Sequence, residues 1–171
     1  MDFGESEWPI PYKVCGGIVE GIRSLAARDL EQEAIDAARR YLEESRYLKG
    51  VEIVPGPGVL PLEFAAIRAL ARRAAGDLEV LVPDVTYDIH FPMIEAAGAR
   101  PVRLATHDSK IVPSAIHSSA RTRSPVLLLT QPTNPGGQYY TEREICEIVQ
   151  AIKKGVLLAD EVFGLTQVDA F

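Results

Sequence analysis

Two patterns of apolar residues alternate along this chain of 171 residues. Short, mostly apolar runs, typical of strands buried within a sheet, occupy residues 51–54, 79–82, 101–104, 126–129 and 156–159. The stretches between them carry apolar residues three and four positions apart, which is typical of amphipathic helices. Because the two patterns alternate, the sequence predicts an α/β fold with three α/β/α layers around a mainly parallel sheet.

The helical segments are predicted from apolar spacing together with residues that start or stop helices. They are residues 14–27, residues 29–46 with Asp29 as the cap, a helix from about Pro61 with Phe64, Ile67 and Ala71 facing inward, residues 89–97 ended by Gly98, a helical turn at 113–119, and a helix after the capping box Thr141–Glu144. Residues 1–12 are predicted to form an extended arm, and residues 107–110 a turn.

The most informative segment lies between residues 126 and 163. A predicted strand at 126–129 leads into the polar, turn-forming residues 131–137, and the capped helix follows. A second predicted strand at 156–159 leads into Asp160-Glu161-Val162-Phe163. This order predicts a parallel βαβ unit, in which both polar clusters emerge at the carboxyl ends of neighbouring strands. In open α/β sheets, ligands bind at that edge.

Composition excludes several classes of partner. There are 18 basic and 24 acidic residues, a net charge of −6 without a basic cluster, which argues against nucleic acid or an anionic membrane surface. No apolar run approaches the ~20 residues of a membrane helix, and the acidic amino terminus does not resemble a signal peptide. Cys15 and Cys146 lack metal-type spacing and are interpreted as reduced thiols of a cytoplasmic protein. His90, His107 and His117 are scattered, and we assign them surface or packing roles rather than metal binding.

Four features have candidate chemistry, and each also has a simpler structural interpretation. The segment 56–58 (Gly-Pro-Gly) at a strand-to-helix turn would suit an anion, or would serve only as a turn. Tyr87 could cover a ligand's ring with its own flat ring, or it could be a half-exposed core residue. Asn134 could bind a ligand, or it could satisfy the backbone hydrogen bonds of its own loop. Asp160 follows four apolar strand residues and is costly to bury without a cationic or hydrogen-bonding partner, unless it and Glu161 are solvated at the strand end.

Taken together, these features resemble the fold type I pyridoxal-phosphate (PLP) aminotransferases of class I/II, most closely the branch that includes histidinol-phosphate aminotransferase. The resemblance covers residues 3–163, and its most specific parts are residues 131–137 and 160–163. It implies amino-group transfer between an amino acid and a 2-oxo acid, and a homodimer. It also implies two parts of the chain, with an arm and small-domain helices at 1–45 and part of the PLP-binding large domain at 46–171.

The resemblance also assigns individual residues to the cofactor. Gly58, Val59 and Leu60 match the turn whose backbone N–H groups hold the phosphate. Tyr87 matches the aromatic residue that stacks on the pyridine ring, and Asn134 matches the residue that hydrogen-bonds the phenolic oxygen. Asp160 matches the carboxylate that pairs with the pyridine nitrogen and keeps it protonated, which makes the ring an electron sink.

Two departures from the family pattern affect the predicted activity. Phe163 stands where the family usually has a tyrosine, so the ring packing is kept and one donor to the phenolic oxygen is lost. No lysine matches the family's Schiff-base lysine; the chain's lysines are Lys13, Lys49, Lys110, Lys153 and Lys154. The family's later arginines and its carboxyl-terminal small domain also find no match. We therefore expect this chain to be inactive in transamination by itself.

Several interpretations follow and remain open at this stage. The chain is a fragment, or one half of a split enzyme that associates with a carboxyl-terminal chain, or a non-catalytic partner subunit on the same scaffold. Another PLP reaction, by a lyase, oxidase or cyclase, is compatible with the same fold. A nucleotide-binding domain is the weakest alternative, because residues 56–58 lack the full Gly-x-Gly-x-x-Gly pattern.

Overall fold

The computed structural model describes residues 9–24, 29–45, 49–120 and 124–164, and the chain divides into two compact units, residues 1–55 and 56–171. In the first unit lie the helices α1 (Tyr12–Ser24) and α2 (Leu30–Ser45). Both were predicted; the remainder of the first prediction, residues 25–27, and most of the predicted arm lie outside the described residues. Asp29 caps α2 as expected, because its Oδ1 accepts a hydrogen bond from the Gln32 N–H at 3.1 Å.

The second unit alternates helices and strands. Its elements are α3 (Val59–Arg73), β1 (Glu79–Pro83), α4 (His90–Ala96), β2 (Arg100–Leu104), β3 (Thr106–His107), β4 (Lys110–Ile111), α5 (Pro113–Ser119), β5 (Val126–Thr130), α6 (Glu142–Ile152) and β6 (Val156–Asp160). In the part of the chain that is described, no helix has both the length and the apolar character needed to cross a membrane.

Four of the strands form one parallel sheet in the order β2-β1-β5-β6. Each neighbouring pair is parallel, and the register aligns Val80 with Val126 and Thr130 with Asp160. The predicted parallel βαβ unit is therefore confirmed as β5-α6-β6. β3 and β4 form a separate antiparallel hairpin, so the predicted turn at 107–110 lies between two short strands.

Helices cover both faces of the sheet. On one face, Leu81, Leu127 and Leu129 pack in a core with residues of α5 and α6, including Ile116 and Ile148. On the other face, a second core joins alternate strand residues with α3 and α4, namely Val80, Val82, Val126, Leu128, Ile67, Ala71 and Ile94. Since successive strand side chains point to opposite faces, buried strands that are apolar throughout require two covering layers. The predicted α/β/α architecture is confirmed.

The strand predicted at residues 51–54 is wrong. The structure assigns these residues to no strand, and Val54 is 74% exposed. Their mostly apolar composition suits a strand, but a strand also requires a backbone partner. Among the described strands, the pairings run only between β2, β1, β5 and β6 and within the β3-β4 hairpin.

The inward face of α3 also differs from the prediction at one position. Ile67 and Ala71 are buried as expected, but Phe64 is 39% exposed. The buried residue one turn before Ile67 is Glu63, at 8% exposure. Positions 63, 67 and 71 share one face of the helix because they are four residues apart, whereas position 64 lies about 100° around it. Apolarity favoured Phe64 in the prediction, and the helix places a carboxyl in the core instead.

The other local signals agree with the structure. Gly98 follows α4 with a φ of 85°, a left-handed conformation that glycine adopts without strain. At the start of α6, the Thr141 side chain accepts from the Glu144 N–H, and the Glu144 carboxylate accepts from the Thr141 N–H at 2.6 Å. The predicted capping box is thereby confirmed.

Candidate functional site

The polar loops begin at one edge of the sheet. Because β1, β5 and β6 are parallel, their carboxyl ends at Pro83, Thr130 and Asp160 meet at the same edge. The backbone N–H of Gln131 donates to the Asp160 carbonyl oxygen at 2.8 Å, which ties the loop after β5 to the end of β6.

Asp160 is buried at this edge, with 9% of its surface exposed. Its Oδ1 accepts a hydrogen bond from the Val162 N–H at 3.0 Å, which fixes the carboxylate at the strand end. Asp160 also lines a pocket of about 460 Å³, to which Val59 and Leu62 contribute from the first turns of α3. The carboxylate and the amino-terminal end of a helix therefore share one pocket.

The start of α3 is suited to an anion. Gly58 precedes the helix with a φ of 129°, a backbone conformation that other residues rarely adopt, and no side chain caps this helix. The first intrahelical backbone bond runs from the Leu62 N–H to the Gly58 carbonyl at 3.3 Å, so the N–H groups of Val59 and Leu60 point out of the helix end. Free N–H groups and the positive end of the helix dipole together favour negative charge.

A second acidic side chain and a histidine lie beside Asp160. One ligand-type atom from each of Glu63, His90 and Asp160 lies within 4.8 Å of the other two. The His90 Nε2 is 3.6 Å from the Glu63 Oε2, and the His90 Nδ1 is 3.2 Å from the Thr86 Oγ1. The Tyr87 ring packs edge-on against the His90 ring with centroids 5.6 Å apart. Tyr87 is thereby connected to Asp160 through His90.

Burial dominates the electrostatics of these side chains. Desolvation, and after it the negative charge of Asp160, together raise the pKa of Glu63 to about 7. Desolvation lowers the pKa of His90, while the charge of Asp160 partly opposes this shift. A neutral imidazole is therefore favoured at neutral pH, with Asp160 as the neighbouring carboxylate.

The structure brings some of the predicted site residues together. Gly58, Val59 and Leu60 lie at the start of α3, Val59 lines the same pocket as Asp160, and Tyr87 contacts His90. Asn134 is half-buried in the loop after β5, where its own peptide bond to Pro135 is cis, and it does not line the pocket. Phe163 is half-buried just after β6 and does not line the pocket either.

Sequence reasoning missed Glu63 and assigned His90 only a surface or packing role. His90 is fully buried, so a surface role is wrong for it, and its Nε2 faces a carboxyl. A signal for Glu63 was present: it precedes Ile67 and Ala71 by one and two helical turns, on the face that must be buried. For His90, the spacing of four residues from Thr86 placed a hydroxyl within reach of the ring.

Comparison with known proteins identifies the class. Residues 21–170 match the family model for aminotransferase class I and II, and the chain belongs to this family. Members of this family use pyridoxal phosphate. The resemblance deduced from the motifs is confirmed at the level of the family.

The names of individual relatives refer to different substrates. The human kynurenine–oxoglutarate transaminase 3 is 31% identical over 144 residues, which are 74% of this chain and 31% of that protein. A histidinol-phosphate aminotransferase of Zymomonas mobilis is 25% identical over 146 residues, 79% of this chain and 39% of that protein. The histidinol-phosphate branch therefore has only weak support over other branches.

A solved structure agrees in fold over nearly the whole chain. The aspartate aminotransferase of Rhizobium meliloti superposes with a TM-score of 0.84 at 18% identity, covering 99% of this chain and 45% of that one. The chain spans about a third of the length of the curated relatives it matches. It therefore corresponds to part of the aminotransferase fold.

Proposed function

We propose that this chain is the PLP-binding portion of an aminotransferase that moves an amino group between an amino acid and a 2-oxo acid. One observation carries the proposal: the buried carboxylate of Asp160 shares a pocket with the uncapped amino terminus of α3. A ligand with a cationic ring nitrogen at one end and a phosphate at the other matches this distribution of charge.

The proposed contacts combine this pocket with the residue matches of the family resemblance. The backbone N–H groups of the segment 58–60 bind the phosphate, and Asp160 holds the protonated pyridine nitrogen. Tyr87 covers one face of the ring, and Asn134 hydrogen-bonds its phenolic oxygen. Phe163 supplies packing only. When bound, the cofactor provides an electron sink for the substrate's α-carbon; the residues named here bind and orient it.

The cellular setting and the assembly are part of the same proposal. Cys15 and Cys146 are exposed free thiols, which fits the reducing conditions of the cytoplasm. We propose a homodimer, or association with a carboxyl-terminal chain, for the active assembly. The substrates are small amino and oxo acids, and amino-group transfer is assigned to that assembly.

Binding of PLP to the purified chain tests the proposal. We expect saturable binding in ultrafiltration and tyrosine–tryptophan fluorescence measurements, with EDTA present. Asp160→Asn is expected to weaken binding about 100-fold, because losing one member of a buried ion pair costs about 3 kcal/mol and 1.4 kcal/mol is tenfold in affinity.

The matched control is Asp108→Asn. Asp108 is exposed in the β3-β4 turn, so the same chemical change there should leave PLP binding unaltered. Circular dichroism of all three proteins verifies that the fold is retained. Equal affinity of the wild type and Asp160→Asn, or no saturable binding of PLP at all, would show that the proposal is wrong.

A further inference from the structure

The pocket that Asp160 lines contains a second acidic side chain. Glu63 comes from α3, four residues after Val59, and one of its carboxyl oxygens lies within 4.8 Å of a carboxyl oxygen of Asp160. We propose that Glu63 is a second acidic residue of the cofactor pocket, which loses its proton when the cationic ring nitrogen binds beside Asp160. This inference rests on the proposed function and extends it to a residue that the family resemblance does not assign.

Unsatisfied polar atoms beside Asp160 are the first argument. Both carboxyl oxygens of Glu63, the Nε2 of His90 and the Oγ1 of Thr130 are buried without a hydrogen-bond partner. Thr130 is the register partner of Asp160 on the neighbouring strand, so the two residues end the sheet side by side. Buried polar atoms almost always have a partner, and this group of unsatisfied atoms therefore points to a polar or charged ligand in the pocket.

In the free chain, Glu63 is able to keep its proton near neutral pH. Burial, and after it the charge of Asp160, raise the pKa of Glu63 to about 7, because two neighbouring carboxylates repel each other in a poorly hydrated site. The His90 Nε2 is 3.6 Å from the Glu63 Oε2, but burial lowers the pKa of His90. The imidazole is therefore a poor acceptor for this proton, which leaves to solvent through the open pocket.

The other charged groups around Glu63 are few in the described part of the chain. From β6, Glu161 follows Asp160 at the pocket and is exposed to solvent. From β5, the pocket is lined by Leu128, which carries no charge. The next charged residue of α3, Arg68, does not line the pocket and donates to a backbone carbonyl of α4's last turn at 3.3 Å. Asp160 and its bound cation therefore dominate the charge state of Glu63.

A cation at Asp160 reverses the electrostatics that keep Glu63 neutral. An opposite charge within a few ångströms favours the ionised form of a carboxyl and lowers its pKa. The proposed phosphate site is the backbone of residues 58–60, whereas the Glu63 carboxyl lies at the Asp160 end of the pocket. A negative charge that appears only together with the cation strengthens binding, and it avoids two permanently ionised, buried carboxylates in the free chain.

The pH dependence of PLP affinity tests this proposal. Because binding releases the Glu63 proton, the affinity of the wild type should rise, relative to Glu63→Gln, as the pH rises through the Glu63 pKa of about 7. Glutamine keeps the shape of the neutral carboxyl and cannot ionise. We expect equal affinities at about pH 5.5 and about tenfold tighter binding by the wild type at about pH 8.5. Titration of PLP's own groups affects both proteins alike and cancels in the ratio.

Two further measurements make the result specific to Glu63. Calorimetry in buffers of different ionisation enthalpy counts the protons released on binding at neutral pH, and Glu63→Gln should release fewer than the wild type. Glu63→Leu removes the acid without leaving a polar group in the core, and it should also lack the gain in affinity with pH. Glu95→Gln, at an exposed position of α4, is the matched control and should follow the wild type.

The proposal is overturned if the ratio of the wild-type and Glu63→Gln affinities is constant across the pH range. It is also overturned if the wild type loses affinity relative to Glu63→Gln as the pH rises. Saturable PLP binding with a constant ratio contradicts this proposal alone, whereas a wild type that does not bind PLP contradicts the proposed function as well. The two failures therefore give different results.

Discussion

At the scale of single residues, Glu63 stands out among the described residues as a buried carboxyl. The same face of α3 carries Ile67 and Ala71 in later turns, and both contribute to the apolar core. A carboxyl at this position has no hydrogen-bond partner for either oxygen and sits beside the charge of Asp160, which together raise its pKa. A buried carboxyl without a hydrogen-bond partner destabilises the fold.

We therefore expect Glu63→Leu to raise stability. Leucine replaces an unsatisfied buried carboxyl with an apolar side chain of similar volume, and the free energy of unfolding should rise by about 2 kcal/mol. Urea denaturation at neutral pH with EDTA measures this free energy of unfolding. Glu95→Leu, on the exposed face of α4, serves as the control. A Glu63→Leu protein that is no more stable than the wild type would contradict this account.

At the scale of elements, the start of α6 joins two parts of the second unit. The Glu144 carboxylate closes the capping box with Thr141 and also accepts hydrogen bonds from the Lys110 Nζ of the β3-β4 hairpin at 3.0 and 3.1 Å. The Thr141 backbone N–H is the main cause, and Lys110 a further one, of a Glu144 pKa lowered to about 2. The Glu144 side chain thus both caps α6 and ties this helix to the β3-β4 hairpin.

This coupling predicts how stability depends on pH. The folded-state pKa of Glu144 is lowered, so its contribution is fully present above the unfolded-state value of 4.5 and is lost as pH falls toward about 2. Glu144→Gln should cost about 1 kcal/mol at pH 7, the usual size for a helix cap, and progressively less between pH 4.5 and 2.

Denaturation curves across that pH range, with Glu142→Gln as the control, measure the effect. Glu142 is exposed in the same first turn of α6 and takes no part in the capping box. A cost of Glu144→Gln that stays constant from pH 7 to pH 2 would exclude the ionised carboxylate as the source of the stabilisation.

At the scale of the whole molecule, the described sheet ends in β6. This strand pairs with β5 along one side only, and Val156 and Ala159 on it are exposed. An apolar edge strand with free backbone groups is a template for pairing with another chain. We therefore expect this chain, when isolated, to self-associate through β6.

A lysine on the edge tests this expectation. Ala159→Lys places a charge on the open edge strand and should shift the protein toward the monomer in sedimentation velocity runs over a wide concentration range. Ala69→Lys makes the same change on the exposed side of α3 and should leave association as in the wild type. If both variants associate equally, the β6 edge is not the contact.

Local signals in the sequence were enough to predict the strands of the sheet, most of the helices and the position of Asp160 at a strand end. The capping box, Gly98 and the strand runs act through neighbours a few residues away, so their consequences can be deduced from short segments. The family followed from the order of such segments, and the match to class I and II aminotransferases confirms it.

Other features depended on which distant segments meet. Residues 51–54 have a strand pattern without a strand, because pairing depends on a neighbour that the segment itself does not specify. Glu63 and His90 are 27 positions apart on different helices, and only the packing of α3 and α4 against the sheet brings them beside Asp160. The sequence by itself determined the elements and the acidic strand end; the tertiary structure decided what surrounds that acid, because burial and neighbouring charge arise only when separate elements pack together.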